Sequence, residues 1–317
     1  MTDSQNKNNN LHSAKRAKND EFFTLYEDVA NEIKYYENFL QNKHILFPCD
    51  YDYDTLKESQ KQEYREKGFV NGINDNFAFS RFFNAKNQGN DFNKGWNNIL
   101  HFSSYNPETN EGTTFQTSIP EFAKKHPDGV VITNPPFSLL REFINLLIEN
   151  NLKFLIIGNK NGISYNDIFK LIKENKVWLG ITSPGDFVTG EQPTKSLKGL
   201  TRWFTNIENT TRETKLMLSK SWAENPEYYQ KYDNYNAINV NKVIDIPYDY
   251  DGAIGVPITF LDKYNPDQFE IIGKMSTTKL DEFELGYPFI NKKRIYSRII
   301  IKNKNPQRMV NNGNKRV

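Results

Sequence analysis

Apolar positions along this chain switch repeatedly between a two-residue and a three-to-four-residue spacing. Gly129–Phe143 reads GVVITNPPFSLLREF. Val130, Val131 and Ile132 have the β-branched stiffness of a buried strand, while Leu139, Leu140, Phe143, Leu147 and Ile148 recur at helical spacing. Upstream, Leu25, Val29, Ile33, Tyr36 and Leu40 fall at three- and four-residue steps, predicting one amphipathic helix over Leu25–Leu40. His44–Asp50 is a short apolar strand ending in Pro48. A helix is expected over Leu56–Lys67, with loops from there to Gly95. Ile99–Phe102 reads as a strand, Asn106–Gly112 as a turn, Thr113–Thr117 as a further strand and Ile119–Lys125 as a short helix. Beyond the central segment, Lys153–Gly158 is a buried strand, Asn166–Glu174 a helix and Val177–Gly180 another strand.

Such alternation predicts βαβ units, right-handed crossovers and a mainly parallel sheet. Arg202–Thr205 and Lys215–Leu218, separated by a polar turn, predict an antiparallel hairpin at the sheet edge. From Ser221 the pattern changes to Tyr, Asn and Asp, followed by runs that read as strands at Ile254–Leu261, Phe269–Ile272 and Arg294–Ile301. Three regions result: a basic, disordered amino terminus over 1–19, a catalytic domain over 20–220, and a smaller carboxyl-terminal region over 221–317.

The chain has 317 residues, 37% hydrophobic and 14% aromatic, ample for a large core. A polar amino terminus and short apolar runs give no signal peptide or membrane span, so a cytoplasmic protein is expected. One cysteine, Cys49, excludes an internal disulfide, and four scattered histidines argue against a zinc site. The net charge of +2 says little about nucleic acid. Its distribution says more: from Asn291 to Val317 there are Lys292, Lys293, Arg294, Arg298, Lys302, Lys304, Arg308, Lys315 and Arg316 with no acid. Such a run suits phosphates as well as it suits a solvated tail. The stretch Glu227–Asn236 carries four tyrosines, which suit base stacking or ordinary loop packing.

Chemistry is expected at Asn134-Pro135-Pro136-Phe137. Two prolines fix φ, remove two N–H donors and push the preceding residues out of the α region. The turn therefore offers acceptors, the Asn134 amide oxygen and the Pro135 carbonyl, to a group with two N–H donors such as an exocyclic base amine. Phe137 supplies a stacking face. In an open parallel sheet ligands sit beyond the carboxyl ends of strands, which makes Pro48–Asp52 a cofactor edge. No Gly-rich fingerprint is present there, as suits a ligand without phosphates.

These stretches together resemble the EcoRI-type adenine-specific DNA methyltransferases. The resemblance runs from Leu11 to about Gly273. It is carried by Asp20–Thr24, Val131–Leu139, Phe154–Asn159, Lys173–Gly180, Lys231–Tyr235 and Gly255–Leu261. It implies a class I, Rossmann-like fold that uses S-adenosyl-L-methionine to methylate N6 of adenine in double-stranded DNA. By the same resemblance Phe22, Phe23 and Thr24 wall the cofactor site, Pro48, Cys49 and Asp50 form its strand edge with Asn134, and Asn134–Phe137 receives the base. The segment Lys57–Gly95 departs from the family pattern, and Thr113–Gln116 replaces an expected acidic stretch. Acceptors other than adenine N6 would be cytosine N4, an RNA adenine or a glutamine amide, and a DNA-binding relative without catalysis is the rival of another class. The chain shows no nuclease motif, so cleavage would belong to a separate cognate restriction endonuclease. A monomer is expected.

Overall fold

The structure, a computed structural model, describes residues 23–50, 57–59, 62, 78–89, 94–103, 105–106, 111–189, 192–196, 199–277 and 282–307. Stretch 1–19, Phe22 and two thirds of the helix expected over 56–67 lie outside the described residues. The chain divides into two compact units, one within the bounds Met1–Ile168 and Lys176–Asn209, the other within Phe169–Asn175 and Thr210–Val317.

The first unit is built on a six-stranded sheet. Its strands are β1 (His44–Phe47), β2 (Ile99–Phe102), β3 (Val130–Thr133), β4 (Lys153–Asn159), β5 (Trp178–Leu179) and β6 (Thr201–Thr205), in the spatial order β2-β1-β3-β4-β6-β5. Neighbours β2, β1, β3 and β4 run parallel, and β6 is antiparallel to both β4 and β5. The two-residue alternation of strands decides what each face buries. Ile45 and Phe47, Val130 and Ile132, and Leu155 and Ile157 turn to one core. That core also takes Val29 and Ile33 of α1 (Tyr26–Ile33) and Phe79, Phe82 and Phe83 of α2 (Ala78–Gln88). Complete burial of Val29 and Ile33 contributes roughly 1.5–3 kcal/mol each. Gly158, on the opposite face, receives Leu140, the first residue of α4 (Leu140–Glu149). Phe143 of the same helix stacks on Phe115 of α3 (Phe115–Lys125), with ring centroids 4.0 Å apart.

Several expectations are corrected. The helix predicted through Leu40 stops at Ile33, where Tyr35 N–H bonds to the Glu32 carbonyl (3.1 Å) and Tyr36 N–H to that of Ile33 (2.8 Å). Chain direction changes there, and a single turn follows over Glu37–Leu40. Periodicity hid the break because Tyr36 and Leu40 stay buried across it. Thr113–Thr117 is no strand: α3 starts at Phe115, because Phe115, Ser118, Ile119 and Phe122 bury one helical stripe. Within the loops expected before Gly95, α2 forms on Phe79, Phe82 and Phe83.

The edge hairpin does not form. Only β6 is a strand; β5 occupies its outer side, and Gln268 takes both the N–H and the carbonyl of Leu216 at 2.7 and 2.9 Å. Ile254–Leu261 divides into a strand, Ala253–Pro257, and a 3₁₀ segment, Ile258–Lys263. The antiparallel strand is thus internal to the sheet.

The second unit holds a four-stranded mixed sheet of β7 (Ala237–Asn239), β8 (Ala253–Pro257), β9 (Phe269–Met275) and β10 (Arg298–Asn303), ordered β7-β8-β10-β9. No helix among the described residues is long and apolar enough to cross a membrane.

Candidate active site

From β1 the sheet extends to β2 on one side and β3 on the other, so the carboxyl ends of β1 and β3 flank a reversal of strand order. Crevices of this kind receive ligands in open α/β sheets. Phe47 ends β1, and its carbonyl accepts N–H groups from Asp50 (3.5 Å) and Ser103 (3.1 Å). This turn folds Asp50 back toward the neighbouring strand. The hydroxyl of Thr133, the last residue of β3, then donates to Asp50 Oδ2 at 3.0 Å. Both side chains are buried, Asp50 at 8% exposure and Thr133 at 0%. Pro48 is also buried and Cys49 half-buried.

Asn134-Pro135-Pro136-Phe137 leaves β3 one residue later. Pro135 is buried, Asn134, Pro136 and Phe137 are half-buried, and the Oδ1 atom of Asn134 lies below the surface. Pro136 stays extended at φ −50°, ψ 129°, and its carbonyl accepts from Leu139 N–H at 2.9 Å. That bond starts the 3₁₀ turn Phe137–Leu139 and, through it, α4. The helix consumes the Pro136 carbonyl, one residue beyond the Pro135 carbonyl implicated from sequence. Phe137 packs against the core shared by Phe47, Ile132, Val29 and Ile33.

Thr24 lies elsewhere in the unit, in a short strand Phe23–Thr24 paired antiparallel with Asp186–Thr189. It is 4% exposed, and its hydroxyl has no hydrogen-bond partner among the described residues. Its shown link to the Asp50–Asn134 corner is α1, which follows at once and packs on the same core as Phe137. Of Phe23 the structure describes the backbone pairing. A cavity of about 310 Å³, lined by Leu25, Asp28, Asn31, Ser183 and Gly185 among others, opens beside the start of α1.

Sequence reasoning missed Glu32. Its carboxyl accepts Tyr36 Oη (2.8 Å) and Ile181 N–H (2.8 Å) at Oε1, and Thr182 N–H and Thr182 Oγ1 (2.6 Å each) at Oε2. Three of these bonds tie α1 to the chain leaving β5, and Asp28 adds a fourth by accepting Gly185 N–H at 3.2 Å. Burial pushes the Glu32 carboxyl above the ordinary carboxylate range, against the lowering effect of these hydrogen bonds. The signal was present: Glu32 lies on the same helical stripe as Val29, Ile33 and Tyr36.

At the far side of the corner, Arg141 in the first turn of α4 forks onto Asp167, with Nε at 3.0 Å and Nη2 at 3.0 Å from Oδ2. Burial raises the Asp167 carboxyl, but the bonds from Arg141 and Asn145 outweigh this and hold it low. In the second unit, Arg298 of the basic run is not available to phosphate. It is buried and donates to Asn239 Oδ1 (3.1 Å) and Asn241 Oδ1 (3.0 Å). Lys292, Lys293, Arg294, Lys302 and Lys304 are exposed, while 308–317 lie outside the described residues. Two of the four tyrosines in the 227–236 stretch, Tyr229 and Tyr232, are buried and bonded to the Asp245 carbonyl and Asn239; Tyr228 is 61% exposed.

Comparison with known proteins identifies the family. Residues 10–71 and 121–304 match the family model described as adenine-specific methyltransferase EcoRI. The chain is 36% identical to Type II methyltransferase M.EcoRI of Escherichia coli, covering 94% of this chain and 97% of that protein. It is 32% identical to Type II methyltransferase M.MgeORF184P of Mycoplasma genitalium, over 91% of this chain and 97% of that one. Identity to Type II methyltransferase M.MpnI of Mycoplasma pneumoniae is 31%, over 91% and 96%. No solved structure matches significantly. With a family model spanning both the Asn134–Phe137 corner and most of the second unit, the chain belongs to the EcoRI family of adenine-specific methyltransferases.

Proposed function

We propose that this chain methylates N6 of an adenine flipped out of double-stranded DNA, with S-adenosyl-L-methionine as donor, as the modification enzyme of a restriction–modification system. The observation that carries the reading is the Thr133–Asp50 hydrogen bond, which joins the two strand ends at the reversal of strand order where Asn134–Phe137 begins. A buried polar group at the β1 end, the Asp50 carboxyl, fits a phosphate-free cofactor, and the Thr24 hydroxyl, elsewhere in the unit, is buried without a partner among the described residues. Pro48, Cys49 and Asp50 would hold the donor's amino-acid part, with Phe22, Phe23 and Thr24 forming the wall of its pocket. When bound, the donor supplies an electrophilic methyl group on a sulfonium sulfur.

The work of the chain's own residues follows from the turn. An extruded adenine stacks on Phe137, and its two N6 hydrogens are accepted by Asn134 Oδ1 and the Pro135 carbonyl. Adenine N6 is a poor nucleophile because its lone pair is delocalised into the ring. Two acceptors on its hydrogens favour the pyramidal amine, whose lone pair is free to form the new N–C bond, and hold that geometry for in-line attack. One N6 proton then passes to solvent. No acid, base or metal is required for this step.

The second unit is proposed to read the DNA target, with Lys292, Lys293 and Arg294 at the phosphates. The enzyme would act as a monomer in the cytoplasm, with cleavage left to a separate cognate endonuclease.

Replacing Asn134 with alanine tests the scheme. Binding of the donor, measured by calorimetry, should persist, while methylation of target duplex falls about 10²- to 10³-fold, the scale for one transition-state hydrogen-bonding group. Near-wild-type turnover would defeat it. Nucleosides from methylated DNA should contain N6-methyladenine; N4-methylcytosine in its place overturns the acceptor assignment.

A further inference from the structure

Three of the four histidines, scattered in the sequence, come together in the fold. His44 opens β1, His101 lies in β2 opposite Leu46, and His126 follows α3. His44 Nδ1 and His101 Nε2 are 2.9 Å apart, and the ring of His126 lies 3.9 Å from that of His44 and 4.7 Å from that of His101, centroid to centroid. One nitrogen-donor atom from each residue lies within 4.8 Å of the other two. All three residues are half-buried, so the cluster keeps a path to solvent.

We propose that His44, His101 and His126 form a binding site for one divalent transition-metal ion of the zinc type, with a water molecule completing the coordination. Two ring nitrogens 2.9 Å apart share one proton, and a cation replaces that proton. Zinc–imidazole bonds of about 2.0–2.1 Å at tetrahedral angles set nitrogens about 3.3 Å apart, so the His44–His101 pair opens by a few tenths of an ångström, and His126, now stacked on His44 with 17° between the ring planes, turns to aim a lone pair at the same point. Three imidazoles without a carboxylate select zinc, copper, nickel or cobalt over magnesium or calcium. Lys125, next to His126 in the chain, carries a positive charge that opposes the cation, but it is exposed and able to turn into solvent.

The site differs in place and role from the methyl-transfer corner. His44 starts the strand whose opposite end leads to Asp50, so the metal would not touch the reacting base. It would instead clasp β1, β2 and the end of α3. The His126 carbonyl already accepts Gly129 N–H at 2.9 Å, immediately before β3 and Asn134. A metal clasp would therefore stiffen the entry to the catalytic strand.

The test uses the full chain without a polyhistidine tag, stripped by chelator and titrated with zinc sulfate in a calorimeter. One equivalent should bind, and the thermal unfolding midpoint should rise with zinc concentration. His126→Asn and His101→Ala should each weaken binding by more than about 10-fold, the least that removing even a supporting partner costs a metal site. His12→Ala should bind as wild type. Circular dichroism checks that each variant folds, and His126→Asn decides if His101→Ala is misfolded. Substoichiometric binding, binding unchanged in a folded His126→Asn, or binding abolished in His12→Ala overturns the assignment.

Discussion

Gly158→Ala probes how the motif is held. A Cβ on Gly158 would sit 2.6 Å from both Cδ atoms of Leu140 and 3.1 Å from Phe204 Cε2. Carbon atoms pack at about 3.5–4.0 Å, so Leu140 would have to withdraw by about 1 Å. Retreat is hindered, since Leu140 and Phe204 are fully buried and Leu140 already packs against Gly162, where even a Cβ would find no room. Overpacking of this kind costs about 1–3 kcal/mol. Leu140 directly follows the turn Phe137–Leu139, so its displacement passes back to Asn134. A misplacement near 1 Å costs about 10²-fold in rate. Urea unfolding and single-turnover methylation measure the two effects, and a stability loss under about 0.5 kcal/mol with an unchanged rate refutes the argument. A double-mutant cycle sharpens it. Leu140→Ala alone should cost roughly 2–5 kcal/mol, and combined with Gly158→Ala it should cost less than the sum by about 1 kcal/mol or more. Strict additivity would mean that the two residues do not collide.

Two further outcomes are expected. The folded Glu32 carboxyl titrates above its unfolded value, so its contribution to stability is fully present below the unfolded carboxylate pKa and is lost as pH rises through the folded one. The unfolding free energy of wild type minus that of Glu32→Gln should therefore fall as pH rises from about 4.3; a flat or rising difference contradicts the burial argument. Lys292→Ala with Lys293→Ala should weaken binding to all duplexes alike and flatten the dependence of log K on log salt by about 0.9 for each phosphate no longer neutralised. An unchanged slope in a filter-binding series would remove the proposed phosphate role from Lys292 and Lys293.

The parallel strands were readable because each combines β-branched residues with bounding turn residues, and Val130–Thr133 followed by two prolines shows strand, stop and helix start in eight residues. What failed had a physical cause in each case. Lys215–Leu218 looks like a strand locally, but Gln268, far along the chain, takes the backbone N–H and carbonyl of Leu216. The helix Ala78–Gln88 has Phe79, Phe82 and Phe83 at helical spacing and was obscured by the Asn- and Gly-rich sequence around it. Of the corner, Asn134–Phe137 and Asp50 were legible, whereas the Thr133 bond that joins them depends on strand order. Glu32 and the histidine trio depend on pairing across many residues, which spacing along one chain does not encode.

The placement of β6 between β4 and β5 has a consequence for biosynthesis. Among the described residues, strand β5 has no neighbour in the sheet except β6, which is made later. A nascent chain can pair β1 through β4 as soon as Asn159 has emerged from the ribosome, yet the outer rim of β4 stays open until Thr205 follows. Premature termination between these points would leave an unprotected strand of Phe154, Leu155, Ile156 and Ile157, a sticky surface for self-association. Translation must thus run well past the catalytic turn before the sheet that bears it is sealed.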